Sequence, residues 1–132
     1  MRAFFRVVLL LLLATTTPPA AWACSCAVTT PVQAAQKSGI AYVGEVIATG
    51  PDTVEVRVVD AILGVAAGSV YVLPVNVGSS AGCGIPYPFH VGDRWIFYQT
   101  GTYAVNLCGP DQPEDPTVVL ALHAVFDACP TR

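Results

Sequence analysis

The clearest pattern in the chain lies at 53–63 (TVEVRVVDAIL), where Val54, Val56 and Val58 alternate with Glu55 and Arg57. A period of two marks a strand with one buried face. The apolar run before it, 40–49 (IAYVGEVIAT), reads as a second strand, with Gly50-Pro51-Asp52 as the tight turn between them. Residues 64–68 begin and end with glycine and predict another turn. Residues 69–77 (SVYVLPVNV) predict a third strand, in which Pro74 points to a sheet edge or a bulge. A fourth strand is predicted at 93–99 (DRWIFYQ), a turn at Thr100-Gly101 and a fifth strand at 102–107. The stretch 78–92 between the third and fourth strands is a long loop with Cys83 and Ile85-Pro86-Tyr87-Pro88-Phe89.

Two segments follow helical rules instead. Thr30 can cap a short helix opening at Pro31, with Val32, Ala34, Ala35 and Gln36 inside it and Gly39 as its stop. Near the end, Pro116 occupies a first helical position, and Val118, Val119, Leu122, Val125 and Phe126 recur at helical spacing. The preceding 109–116 (GPDQPEDP) reads as an acidic, Pro-rich linker, with Asp111, Glu114 and Asp115 solvated. Five strands with short N- and C-terminal helices predict a mainly β fold. The five-stranded, OB-fold-like barrel is its natural form.

The first residues obey a different pattern. Arg2 and Arg6 give a positive start, 7–14 is a short apolar core, and 15–23 is small and Pro-containing, ending Ala21-Trp22-Ala23. This is the layout of a signal peptide, 1–23, cleaved at an A-x-A site and excluded from the fold. An eight-residue apolar run falls well short of the ~20 residues that span a bilayer. Cleavage leaves 24–132, a domain of 109 residues that starts at Cys24, and removes two arginines, taking the formal charge from −3 to −5. Export to the extracellular space is the expectation, with no later membrane span. A lipid anchor on Cys24 is a minor alternative, because Ala21 stands where lipid-attachment sites usually carry Leu.

Composition narrows the function classes. The chain is 54% hydrophobic and 11% charged, which argues against disorder. With 6 basic against 9 acidic residues it has no basic patch for phosphates, so a nucleic-acid partner is not expected. All five cysteines, Cys24, Cys26, Cys83, Cys108 and Cys129, lie in the exported part, where disulfides persist. Two bridges with one cysteine left over allow ~15 arrangements. A Cys24–Cys26 bridge would be strained, so each is expected to pin the N-terminus to a distant point. The cysteines and the separate His90 and His123 lack the spacing of a zinc site, and no cofactor is expected. An enzyme would need a nucleophile–base set or a metal site, and the sequence offers neither. Trp95, Phe97 and Val105 are expected in the core. His90 and His123 are expected at ordinary polar or packing positions, and Tyr87 and Phe89 either cap the barrel or form a partner patch.

The order of several motifs resembles a known family. Cys24-Ser25-Cys26 stands at the mature N-terminus, followed by Pro31, Gln33-Ala34-Ala35 and Tyr42-Val43-Gly44-Glu45-Val46. Then come Leu63-Gly64, Ser80-Ala81-Gly82-Cys83-Gly84, the aromatic stretch 95–98, Val105-Asn106-Leu107-Cys108, and Cys129 after the final helix. Together these resemble the N-terminal, netrin-like domain of the tissue inhibitors of metalloproteinases. The family has a third N-terminal cysteine where this chain has Gln36, and the animal inhibitors carry a second, cysteine-rich domain, whereas this sequence ends at Arg132. The turn at 50–52 is short, so a long reaching loop between the first two strands is missing. The abundance of Ala, Val and Gly suits a bacterial single-domain relative.

The resemblance implies a mechanism. The α-amino nitrogen and carbonyl oxygen of Cys24 would chelate the catalytic zinc of a target protease and displace its water. Disulfides Cys24–Cys83 and Cys26–Cys108 would hold the N-terminus rigid and leave Cys129 as a free thiol. Ser25 would enter the specificity pocket, and Cys26, Ala27 and Val28, with Ser80, Ala81, Gly82, Cys83 and Gly84 alongside, would complete the inhibitory ridge. The expected partner is a zinc metalloprotease, whose zinc is the only metal Cys24 would meet. The alternative is a non-inhibitory netrin-like binding or structural module at the cell surface, in which C-x-C is only a staple.

Overall fold

The computed structural model describes residues 29–78, 88–105 and 108–128. In chain order these form α1 (Pro31–Ser38), β1 (Ala41–Thr49), β2 (Thr53–Leu63), β3 (Val70–Pro74), β4 (Arg94–Phe97), β5 (Gln112–Pro113) and α2 (Pro116–Phe126). The five strands make one antiparallel sheet in the order β3-β2-β1-β4-β5. The fold is therefore mainly β, with two short helices.

Local chemistry accounts for α1. Thr30 Oγ1 accepts the Gln33 N–H, and Gln33 Oε1 accepts the Thr30 N–H, both at 3.2 Å, so two otherwise orphaned donors are satisfied. At the other end Gly39 takes the left-handed conformation (φ 72°), and its N–H donates to the Ala35 carbonyl at 2.8 Å. Helix α2 begins on an Asp115 cap whose carboxylate accepts the Thr117 N–H at 2.8 Å.

The sheet has two differently built faces. On one, Tyr42, Val46, Val54, Val56, Val58, Leu73, Val75, Phe89, Phe97 and Val105 form a single buried cluster. On the other, Ala34, Ala35, Ala41, Val43, Ile62, Ile96, Tyr98 and Leu122 bury the sheet against both helices. Alternation assigns the sides: Tyr42 and Phe97 face the first cluster, Val43 and Ile96 the second. Three register shifts between β1 and β2 interrupt the alternation. One leaves Val59 without a partner between the Val43–Asp60 and Gly44–Val58 pairs. Bulges of this kind add twist and bend the strand. Gly44 follows one of these shifts, and a Cβ there would lie 2.9 Å from the Phe97 ring.

The expected boundaries hold closely for the first two strands and depart later. The third strand ends at Pro74 rather than Val77, because its outward backbone atoms turn to a new partner. Val105 N–H donates to the Pro74 carbonyl and Asn76 N–H to the Val105 carbonyl, both at 2.8 Å, a parallel bridge between Val75 and Val105. Val105 is the bridged residue of the segment expected as a fifth strand at 102–107; Thr102, Tyr103 and Ala104 are outside any strand, and 106–107 lie outside the described residues.

The fifth strand of the sheet is instead Gln112–Pro113, inside the segment expected as a solvated linker. Asp111 explains the difference. Its carboxylate accepts the Tyr98 N–H at 2.9 Å and the Gln99 side-chain amide at 3.1 Å. Glu114 N–H donates to the Arg94 carbonyl, and its carboxylate pairs with the Arg94 guanidinium at 3.1 Å. Asp115 is committed to the α2 cap. On α2, Leu122 is buried and Val118, Val119 and Phe126 pack partly, whereas Val125, expected on the same face, is exposed.

Candidate functional site

The residues expected to form the inhibitory ridge, Cys24, Ser25, Cys26, Ala27, Val28, Ser80, Ala81, Gly82, Cys83 and Gly84, lie outside the described residues, as do Tyr87, Cys129 and residues 1–23, expected as a signal peptide. What the structure describes is the frame from which those segments emerge. Val75 and Val105 run in the same direction at their bridge, close to the end of β3. That end also holds the turn between β1 and β2, where the Asp52 carbonyl accepts the Val75 N–H at 2.7 Å. Cys108 is disulfide-bonded; the four other cysteines lie outside the described residues.

The returning arm of the long loop is anchored by its aromatic residue. Phe89 is buried, with its ring 4.7 Å from Trp95 and 6.2 Å from Phe97 between centroids. Phe89 thus belongs to the core rather than to a partner patch. Just after it, the Asp93 carboxylate accepts the His90 N–H at 2.8 Å and lies 3.4 Å from the His90 ring, closing an exposed turn. Phe97 and Val105 are buried and Trp95 packs against them, as expected.

Two polar groupings went unrecognised in the sequence. The first surrounds Asp111. Burial pushes its carboxyl above the ordinary carboxylate range, against the opposing effect of the Tyr98 N–H and the Gln99 amide. Tyr98 is pushed up to about 12 by burial and by the Asp111 charge, and Tyr42 is raised for the same reasons. The Tyr42 hydroxyl donates to the Gln99 carbonyl at 2.7 Å. These groups fasten β5 to β4 at the end of the sheet. The second grouping is Asp60, His123 and Asp127. The i, i+4 spacing of His123 and Asp127 was visible in the sequence; Asp60, 63 residues earlier, was not.

Among the described residues, no three His, Cys, Asp or Glu side chains are grouped to hold a metal ion, and no helix is long and apolar enough to cross a membrane. No protein-family model matches the chain, and no curated protein is significantly similar to it in sequence.

Proposed function

We propose that the protein is an exported inhibitor of zinc metalloproteases, built on a netrin-like, partly closed five-stranded barrel. In this reading Cys24 chelates the target's catalytic zinc through its α-amino nitrogen and carbonyl oxygen. Sequence order is one support: the mature C-x-C end, the Gly44 strand, the Cys83 connector, the aromatic strand and the cysteine at 108 follow the inhibitor domain in succession.

The barrel reading draws on the seam. β3 is one edge of the sheet, yet the residue after it bonds to Val105, which follows β4 on the opposite side. Gly101 also approaches this edge: a Cβ on it would stand 2.8 Å from the Val72 carbonyl. The two sides of the sheet thus approach one another around the aromatic cluster, as curling into a barrel requires.

The observation that carries the functional reading is the engaged disulfide at Cys108. A tether there suits a mechanism in which the chain end must be rigid, because ordering a flexible end on binding costs affinity. A catalytic zinc keeps an open position that takes N and O donors. The amine binds only when neutral, and an unperturbed α-amino group titrates at about 7.7–8.0. Inhibition should therefore weaken as pH falls below that range, once the protease's own profile is divided out.

The test is inhibition of a panel of zinc proteases by the mature protein, beside a variant with one added Ala before Cys24. The mature protein should inhibit and the extended one should not, at unchanged fold. Equal inhibition by both would overturn chelation. The second reading, a netrin-like binding module, is favoured by the outward Val70 and Val72 of β3, 47% and 58% exposed, with Tyr103 75% exposed. Lack of inhibition together with an acylated Cys24 amine would support that reading.

A further inference from the structure

Helix α2 is joined to the sheet by a polar bridge as well as by apolar packing. His123 Nε2 lies 3.1 Å from each carboxylate oxygen of Asp60 on β2. Its Nδ1 lies 3.0 Å from Asp127 Oδ2 at the end of the helix. A neutral imidazole carries one N–H, and only the imidazolium donates from both nitrogens. The two contacts are therefore both hydrogen bonds only when the ring is charged.

We propose that Asp60, His123 and Asp127 form a proton-operated latch on α2. Protonated, the latch fastens the second half of the helix to β2. Deprotonated, it gives up one carboxylate and loosens that half. Leu122 is fully buried at this point and Phe126 packs partly beside it, so loosening uncovers the apolar face shared with Ile62.

Among the described residues, Glu45 of β1 stands opposite Arg57 of β2 and Arg94 of β4. On β2 the other charged side chains, Glu55 and Arg57, stand opposite Val72 and Val70 of β3, several residues from Asp60. Lys37 is the one charged side chain of α1, and it is exposed. Arg94 of β4 is paired with Glu114. Asp115 serves the far end of α2 as its cap. The Asp60 hydrogen bond, the largest cause, raises His123 above the ordinary 6.5; Asp127 adds to the rise and burial opposes it. A raised histidine stabilises the fold fully below its unfolded value, and that contribution is lost as pH rises through the folded value.

The test is amide hydrogen exchange on the whole mature protein at about pH 5.5 and about pH 8.5, on either side of the imidazole titration, corrected for intrinsic exchange. Relative to β1 amides, those of residues 122–126 should lose about threefold to tenfold of their protection at the higher pH, the size set by one hydrogen bond. His123→Gln should remove this pH dependence. Asp60→Asn, which keeps an acceptor but not the charge, should lower the His123 ring titration midpoint seen by NMR. An α2-to-β1 protection ratio that does not change with pH in the wild-type protein would overturn the latch. So would a pH dependence that survives in His123→Gln, or a midpoint unmoved by Asp60→Asn.

Discussion

The two faces of the sheet are stabilised by different means. The inner cluster draws side chains from β1 to β4 and from the residues at the seam, is dominated by Val and aromatic residues, and is closed around Tyr42, Phe89 and Phe97. Its rings meet at tilted angles, Tyr42 and Phe97 at 5.7 Å and Phe89 and Trp95 at 4.7 Å. The outer cluster mixes small side chains, Ala34, Ala35 and Ala41, with Val43, Ile62, Ile96, Tyr98 and Leu122 where two short helices meet the sheet. Helices of 8 and 11 residues are marginal alone and depend on caps and packing. The outer face is accordingly ringed by polar fastenings: the Thr30–Gln33 capping box, the Asp115 cap, the His123 bridge and the Asp111 anchor. The inner face resists by shape, the outer by a set of separable bonds.

That contrast is open to direct attack by substitution. Phe97→Ala removes the ring at the centre of the inner cluster and should cost about 3–5 kcal/mol in urea unfolding. Leu122→Ala on the outer face should cost less, about 2–3 kcal/mol, since a short helix can settle into the gap. If the outer substitution costs as much as the inner one, the contrast fails. Gly44→Ala forces a Cβ against Phe97 at 2.9 Å and should cost about 1–3 kcal/mol.

Smaller effects sharpen the picture of the outer face. Thr30→Ala takes the acceptor from the α1 capping box and should cost about 1 kcal/mol, visible as a lower Tm. Tyr98→Phe should change stability by less than about 1 kcal/mol, because the buried hydroxyl has no hydrogen-bond partner among the described residues. A large loss on Tyr98→Phe would reveal a partner for that hydroxyl.

How far the fold was legible follows the reach of the signals. Helix α1 was readable to its caps because Thr30, Pro31, Gln33 and Gly39 act within one another's immediate neighbourhood. β2 was readable because Val54, Val56 and Val58 alternate without interruption. The fifth strand was misplaced because what positions Gln112 and Pro113 is non-local: Asp111 is acidic and flanked by Pro, a solvated pattern, yet Tyr98 and Gln99, 13 and 12 residues away, supply donors for it. Pro74 was a true edge signal, but the bridge from Val75 to Val105 joins segments far apart in the sequence, which no local pattern marks. Likewise no short-range pattern links Asp60 to His123. The ridge expected at 24–28 and 80–84 was read from motif order alone and lies outside the described residues.

The account turns on the proposed ties from Cys24 and Cys26 to Cys83 and Cys108. Non-reducing peptide mapping of the protein tests these ties most directly. The predicted result is Cys24 linked to Cys83, Cys26 linked to Cys108, and Cys129 free or joined only to a second copy of the chain. A bridge from Cys108 to Cys129 would leave Cys26 without its partner and contradict the account.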